Sequence, residues 1–189
     1  MEPFSAELGT VPAMTLEAFA DTILPGEKRF PDDHAVAGVS AGGGSVASGV
    51  LEVITGPEGG LAPTLDDLAE MLNEHAEAYT RRSGLAPRPD LPAFVALAYE
   101  HRVALVRELV APGHEEREAW TGLAMFSTIA FDAAAHLHTA DAIRSGHPGL
   151  AILGYSGPDG DGLWRFPSYS YGRALARPHP DTTPSGSPA

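Results

Sequence analysis

Residues 90–146 read DLPAFVALAYEHRVALVRELVAPGHEEREAWTGLAMFSTIAFDAAAHLHTADAIRSG, and the spacing of their apolar side chains decides the fold. Apolar positions recur every three and four residues, the period of a helix rather than a strand. From Asp90 to Val110 one face carries Phe94, Leu97, His101, Leu105 and Leu109, and another carries Val95, Tyr99, Val103, Val106 and Val110. A helix apolar on two faces packs on both sides, so this one is expected at the centre of a bundle. Pro112-Gly113 stops it. A further helix is expected from Glu115 to Arg144, after the acidic turn HEERE. Trp120, Leu123, Phe131 and Ala134 would share one face, and Phe126, Ile129, Ala133 and Leu137 another. Ser145-Gly146 and Pro148 end it.

Upstream, Leu16, Phe19, Ala20 and Ile23 form one stripe after Thr15, a plausible N-cap, and Pro25-Gly26 closes that helix. After a polar loop, AGGGS at 41–45 leads into Val46, Val50, Val53 and Ile54, with Ser45 placed to cap. This glycine run lacks the Lys-Ser/Thr of a phosphate-binding loop and follows no strand, so it reads as a turn. Thr64 and Asp67 sit at capping-box positions before Leu65, Leu68, Leu72, Ala76 and Tyr79, and Arg81, Arg82 and Gly84 close that helix.

At His147 the period is lost. Residues 147–189 are dense in Gly and Pro yet hold Tyr155, Trp164, Phe166, Tyr169 and Tyr171. Only LAIL at 150–153 has strand character. Such a segment is expected to be ordered by a surface it lies on, either its own helices or another polypeptide, with the aromatics as anchors. The expected architecture is all-α: an irregular bundle of about five helices over 1–146 and an extended arm over 147–189, disordered at its tip.

The chain has 189 residues, 43 % of them apolar, which suits one domain with a real core. With 25 acidic and 12 basic residues its formal charge is −13, which disfavours nucleic acid and anionic membranes. It has no cysteine, so disulfides, thiolate metal sites and a cysteine nucleophile are excluded. No apolar run approaches the ~20 residues of a membrane span, and the expected location is the cytoplasm.

Chemistry-bearing residues are sparse. His101, Asp132, His136 and His138 could gather between the last two long helices as acid/base or metal groups. The plainer reading is one core histidine and several surface ones. The Glu-x-x-His pairs of di-iron bundles are missing, because Glu74-His75 and Glu100-His101 are adjacent and point apart. There is no Gly-x-Ser-x-Gly elbow and no dinucleotide fingerprint. Asp159 and Asp161 in GPDGDG match only half of a calcium loop. No catalytic or metal site is therefore expected in this chain, and no cofactor of its own.

Residues 15–26, TLEAFADTILPG, resemble the opening of the small third subunit of gluconate 2-dehydrogenase, through Thr15, Leu16, Ala20, Asp21, Ile23, Leu24, Pro25 and Gly26. The likeness returns at GYSGPDGDGLWRFPSY, residues 154–169. Over its whole length the chain also resembles an actinobacterial family that shares its TLEAFADTILPGEKRFP start and DGLWRFPSYSYGRALARPHP end. The resemblance implies a non-catalytic accessory subunit that binds and stabilises a large FAD-dependent oxidoreductase of the glucose-methanol-choline class, with FAD in the partner. The twin-arginine signal common in that family is missing here, so export is not carried over. A homo-oligomer with exchanged arms is the other way to cover the aromatics.

Overall fold

The computed structural model describes residues 10–56, 61–155 and 181. The fold is all-α: among the described residues there are seven α-helices and one short 3-10 turn, and no strand. Four helices are long: α1 (Val11–Ile23), α3 (Leu65–Arg82), α4 (Tyr99–Leu109) and α5 (Arg117–Ala133). Three are short: α2 (Val50–Thr55), α6 (Thr139–Arg144) and α7 (Pro148–Ile152).

The central helix is α1, not the 90–110 segment. It packs on α2, α3, α4 and α5, and its small Ala13, Ala18 and Ala20 let those neighbours come close, each at most 1 % exposed. Phe19 is wedged between Phe94 and Trp120, with ring centroids 6.4 and 6.1 Å away. The helix begins earlier than Thr15. Thr10 is its N-cap, accepting from Ala13 N at 3.4 Å, and Pro12 presets the first turn. Thr15 is buried instead, donating to the Val11 carbonyl at 2.8 Å and accepting from Asn73.

The second helix starts at Val50 because Gly49 takes the left-handed conformation, and 45–49 form tight turns before it. Ser45 does not cap. Its hydroxyl donates to the Ser127 carbonyl of α5 at 2.9 Å. The glycine run serves packing: a Cβ on Gly44 would lie 2.3 Å from the Leu24 carbonyl oxygen, so only glycine permits this crossing of two backbones.

The third helix matches its sequence pattern, with Leu65, Leu68, Leu72, Ala76 and Tyr79 all buried. Its expected capping box does not form, because the Thr64 hydroxyl donates to the Leu61 carbonyl in the preceding turn.

The fourth helix starts nine residues later than Asp90. Residues 92–97 make one turn that ends at Ala98, whose ψ is 153°. The cause is Arg102. Its guanidinium donates to the Val95 and Leu97 carbonyls at 2.6 and 3.0 Å, the two oxygens that Tyr99 N and His101 N would use in a continuous helix.

The segment expected as one helix over 115–144 is two. Ala134 adopts φ 48°, and α5 ends there. The α7 backbone crosses this end so closely that a Cβ on Gly149 would lie 1.9 Å from the Phe131 carbonyl oxygen. The LAIL stretch thus belongs to a helix and not a strand. His147 Nδ1 accepts from Leu150 N and Pro148 occupies the first turn, so α7 has a built start. The helical unit runs through Tyr155, past the boundary expected at 146. Trp164, Phe166, Tyr169 and Tyr171 lie outside the described residues.

Candidate functional site

Three places gather side chains capable of chemistry. The first is a groove of about 860 Å³ between the second half of α3, the Pro-rich segment 85–93 and the start of α4. His101 reaches it from α4. Its Nδ1 lies 3.0 Å from the Tyr79 hydroxyl on α3, and the two rings are 5.7 Å apart. Arg82 covers the other part of Tyr79, its guanidinium 4.8 Å from the ring centroid, and pairs with Glu108. Asn73 does not offer its amide to a ligand. It donates to Thr15 Oγ1 and the Ala69 carbonyl and accepts from Phe94 N, which fixes the wall of the groove.

A second cluster joins α3 to the start of α5. His75 Nε2 lies 2.7 Å from Glu116 Oε2, and Trp120 Nε1 donates to the same oxygen at 3.0 Å. His114 sits against His75 with ring centroids 5.6 Å apart, and its Nδ1 accepts from Glu116 N. Partial burial raises the Glu116 pKa, but the bonds from His75 and Trp120 outweigh it and hold the carboxyl below its ordinary range.

The third place surrounds α7. His147 Nε2 lies 3.1 Å from the Ser48 carbonyl oxygen, and the His136 ring packs against His147 at 6.2 Å. His136 Nδ1 is buried without a hydrogen-bond partner. Burial lowers the His136 pKa. The Glu52 carboxylate opposes this shift, and His147 adds to it.

The expected group of His101, Asp132, His136 and His138 does not assemble. No hydrogen bond, ion pair or ring contact joins any two of them. The i,i+4 relation of Asp132 and His136 is lost because α5 ends between them at Ala134. His101 pairs with Tyr79, and His136 lies against α7. Asp132 and His138 are exposed, and the His138 carbonyl starts α6 by accepting from Asp141 N and Ala142 N. Of the expected anchors, Tyr155 is described, 48 % exposed, with its N–H donating to the Leu150 carbonyl. The cluster of His75, His114 and Glu116 escapes sequence reasoning because 41 residues separate His75 from Glu116. The only local sign of it is His114-x-Glu116 ahead of Trp120.

The buried charges serve the scaffold rather than a groove. Arg29 bridges Glu17 and Asp33 at 2.6 and 2.7 Å. Asp21 accepts from Gly26 N and Ala37 N, and burial raises its pKa despite those two bonds. Burial raises the Asp33 pKa in the same way, but Arg29 overrides that and leaves it lowered.

Among the described residues no helix is long and apolar enough to cross a membrane. Among curated proteins and among solved structures, nothing matches the chain significantly. Residues 10–189 match a family model described as a family of unknown function, DUF5987. With nearly its whole length covered, the chain belongs to the DUF5987 family.

Proposed function

We propose that this chain is a non-catalytic accessory subunit that binds and stabilises a large FAD-dependent oxidoreductase of the glucose-methanol-choline class. FAD resides in that partner, and the complex works in the cytoplasm without contact to nucleic acid or membrane. The observation that carries this reading is the apolar end of the helical unit. Ile152, Leu153 and Tyr155 are 62, 44 and 48 % exposed in succession, and the sequence continues from them to Trp164, Phe166, Tyr169 and Tyr171. Apolar side chains left this open mark an interaction surface when they are contiguous. The resemblance of residues 15–26 to a small dehydrogenase subunit supplies the class of partner. Stabilisation follows by mass action, since a partner that binds only the native state shifts folding toward it.

The test is co-expression with an FAD-dependent oxidoreductase from the same gene neighbourhood. The truncation removes residues 156–178 and spares α7, which belongs to the helical body. Loss of co-purification and a lower yield of yellow flavoprotein are expected. Unchanged recovery of flavin-loaded partner would overturn the reading. Light scattering of the isolated chain separates this from a homo-oligomer with exchanged arms, which would be larger than a monomer without any partner.

A second reading rests on the Tyr79–His101 pair. A phenol and an imidazole 3.0 Å apart beside a groove are within reach for general acid–base chemistry on a small molecule. A ligand whose thermal shift and turnover are both lost in His101→Asn would favour this enzyme over the subunit.

A further inference from the structure

We propose that His75, His114 and Glu116 form a binding site for one divalent transition cation of the zinc class, which ties α3 to the start of α5. One ligand atom from each residue lies within 4.8 Å of the other two. Zinc–nitrogen and zinc–oxygen bonds of ~2.1 Å at tetrahedral angles put neighbouring ligand atoms roughly 3.4 Å apart. The cluster therefore needs movements of about an ångström in half-buried side chains, not a backbone change.

The donor chemistry selects the cation. Two imidazoles and one carboxylate, with no thiolate, suit zinc, cobalt, nickel or ferrous iron and not magnesium or calcium, which take oxygen cages. Beside the atoms already engaged with one another, the cluster holds two further donor atoms. Glu116 Oε2 is held by His75 and Trp120, while Oε1 has no hydrogen-bond partner among the described residues. His114 Nε2 likewise has no hydrogen-bond partner among the described residues, its Nδ1 being the atom that accepts from Glu116 N. The indole N–H of Trp120 on the Glu116 carboxylate is the outer-shell contact that orients a metal-binding carboxylate.

The present geometry describes the proton form of the same site. At 2.7 Å, His75 and Glu116 share a hydrogen between Nε2 and Oε2. A cation takes that hydrogen's place: the His75 proton moves to Nδ1 or to solvent, and Nε2 and the carboxylate both turn to the metal. His114 gives up the Glu116 N–H bond whichever nitrogen it offers. Binding through Nδ1 uses that lone pair, and binding through Nε2 requires the proton on Nδ1. Three protein ligands leave a fourth position for water. The formal charge of −13 adds a favourable field for a cation. This inference does not depend on the accessory-subunit reading, since it concerns the isolated chain.

The experiment uses the tag-free full chain, freed of metal, titrated with Zn²⁺ by calorimetry and with Co²⁺ by visible absorption at pH 7.5. One cation per chain is expected, with an intense d–d band showing low coordination number and a Zn²⁺-dependent rise in melting temperature. His75→Ala and His114→Ala should each weaken binding at least about 100-fold, and Trp120→Phe about tenfold as an outer-shell loss. His138→Ala should bind as the parent does. Circular dichroism verifies the fold of each variant. His114→Ala, which lies in the loop ahead of α5 and not within a helix, is decisive if His75→Ala does not fold. Absence of one-to-one binding overturns the site, and so does equal affinity in His114→Ala and the parent, which would mean adventitious surface histidines only.

Discussion

Helix α3 and the irregular segment 24–49 are both immobilised against α1, by opposite means. The helix does it with a stripe. Leu65, Leu68, Leu72 and Ala76 recur at helical spacing and are 0–9 % exposed, so its hold is spread over many dispersion contacts. Segment 24–49 has no period and only two buried apolar residues, Ala35 and Val36. It is held by a handful of charged and polar groups. Asp21 takes two of its N–H groups, Arg29 ties Glu17 to Asp33, and Arg102 takes the His34 and Ala35 carbonyls at 3.0 and 2.8 Å. An unpatterned chain can thus be held in place without an apolar stripe where buried charges satisfy its backbone. Its stability then concentrates in a few atoms.

The sharpest way to break this comparison is Arg102→Ala. The side chain is 4 % exposed and serves four carbonyls, of His34, Ala35, Val95 and Leu97. Truncation leaves those oxygens without donors, and a loss of about 4 kcal/mol is expected in urea unfolding. Arg102→Lys should recover little of it, because one ammonium cannot replace a planar fork of five donors. Near-complete rescue by lysine would show that charge rather than geometry holds the segment. Hydrogen exchange should quicken first at 34–37 and 95–102.

Leu72→Ala tests the other side. Leu72 is fully buried in the middle of the stripe, and a cavity cost of about 3 kcal/mol is expected. Here the exchange rates of all core amides should rise together, because the lost contacts belong to the common core of α1, α3 and α5. A loss confined to α3 amides would mean that α3 docks as a separate unit.

The same contrast explains what could be read from sequence. The all-α class and the buried face of α3 were legible because their signal is local periodicity. The start of α1 is ambiguous in sequence because Thr15 resembles a cap as well as Thr10 does, and Pro12 in the first turn decides between them. The central place of α1 is hidden in sequence because it carries Glu17 and Asp21, which look exposed until Arg29 and two backbone N–H groups are supplied from the loop. Nothing in 90–98 announces that Arg102 takes two helical carbonyls, and no glycine or proline marks the break at Ala134. The candidate sites fared worse. His101 stands out in sequence, but its partner is Tyr79 and none of Asp132, His136 and His138, and His75, His114 and Glu116 meet only through the packing of α3 on the start of α5.

The smallest expected effect lies at His136, where a single polar atom is buried without a partner. Burial sets the folded pKa below the ordinary 6.5, with Glu52 opposing and His147 adding to the shift. In the window between the folded value and about 6.5 the unfolded chain binds more protons, so stability must fall as pH drops through 6.5. His136→Leu removes both the titration and the orphaned nitrogen. At pH 7.5 its urea midpoint should lie close to the parent's, since deleting an unsatisfied polar group offsets lost packing. By pH 5.5 the variant should have gained stability on the parent, with its urea midpoint above the parent's. Parallel pH profiles would mean that the imidazole titrates equally in both states. The α7 contact would then be insensitive to His136 and rest on the His147–Ser48 hydrogen bond and on packing, through Gly149 against the Phe131 backbone and the buried Leu150.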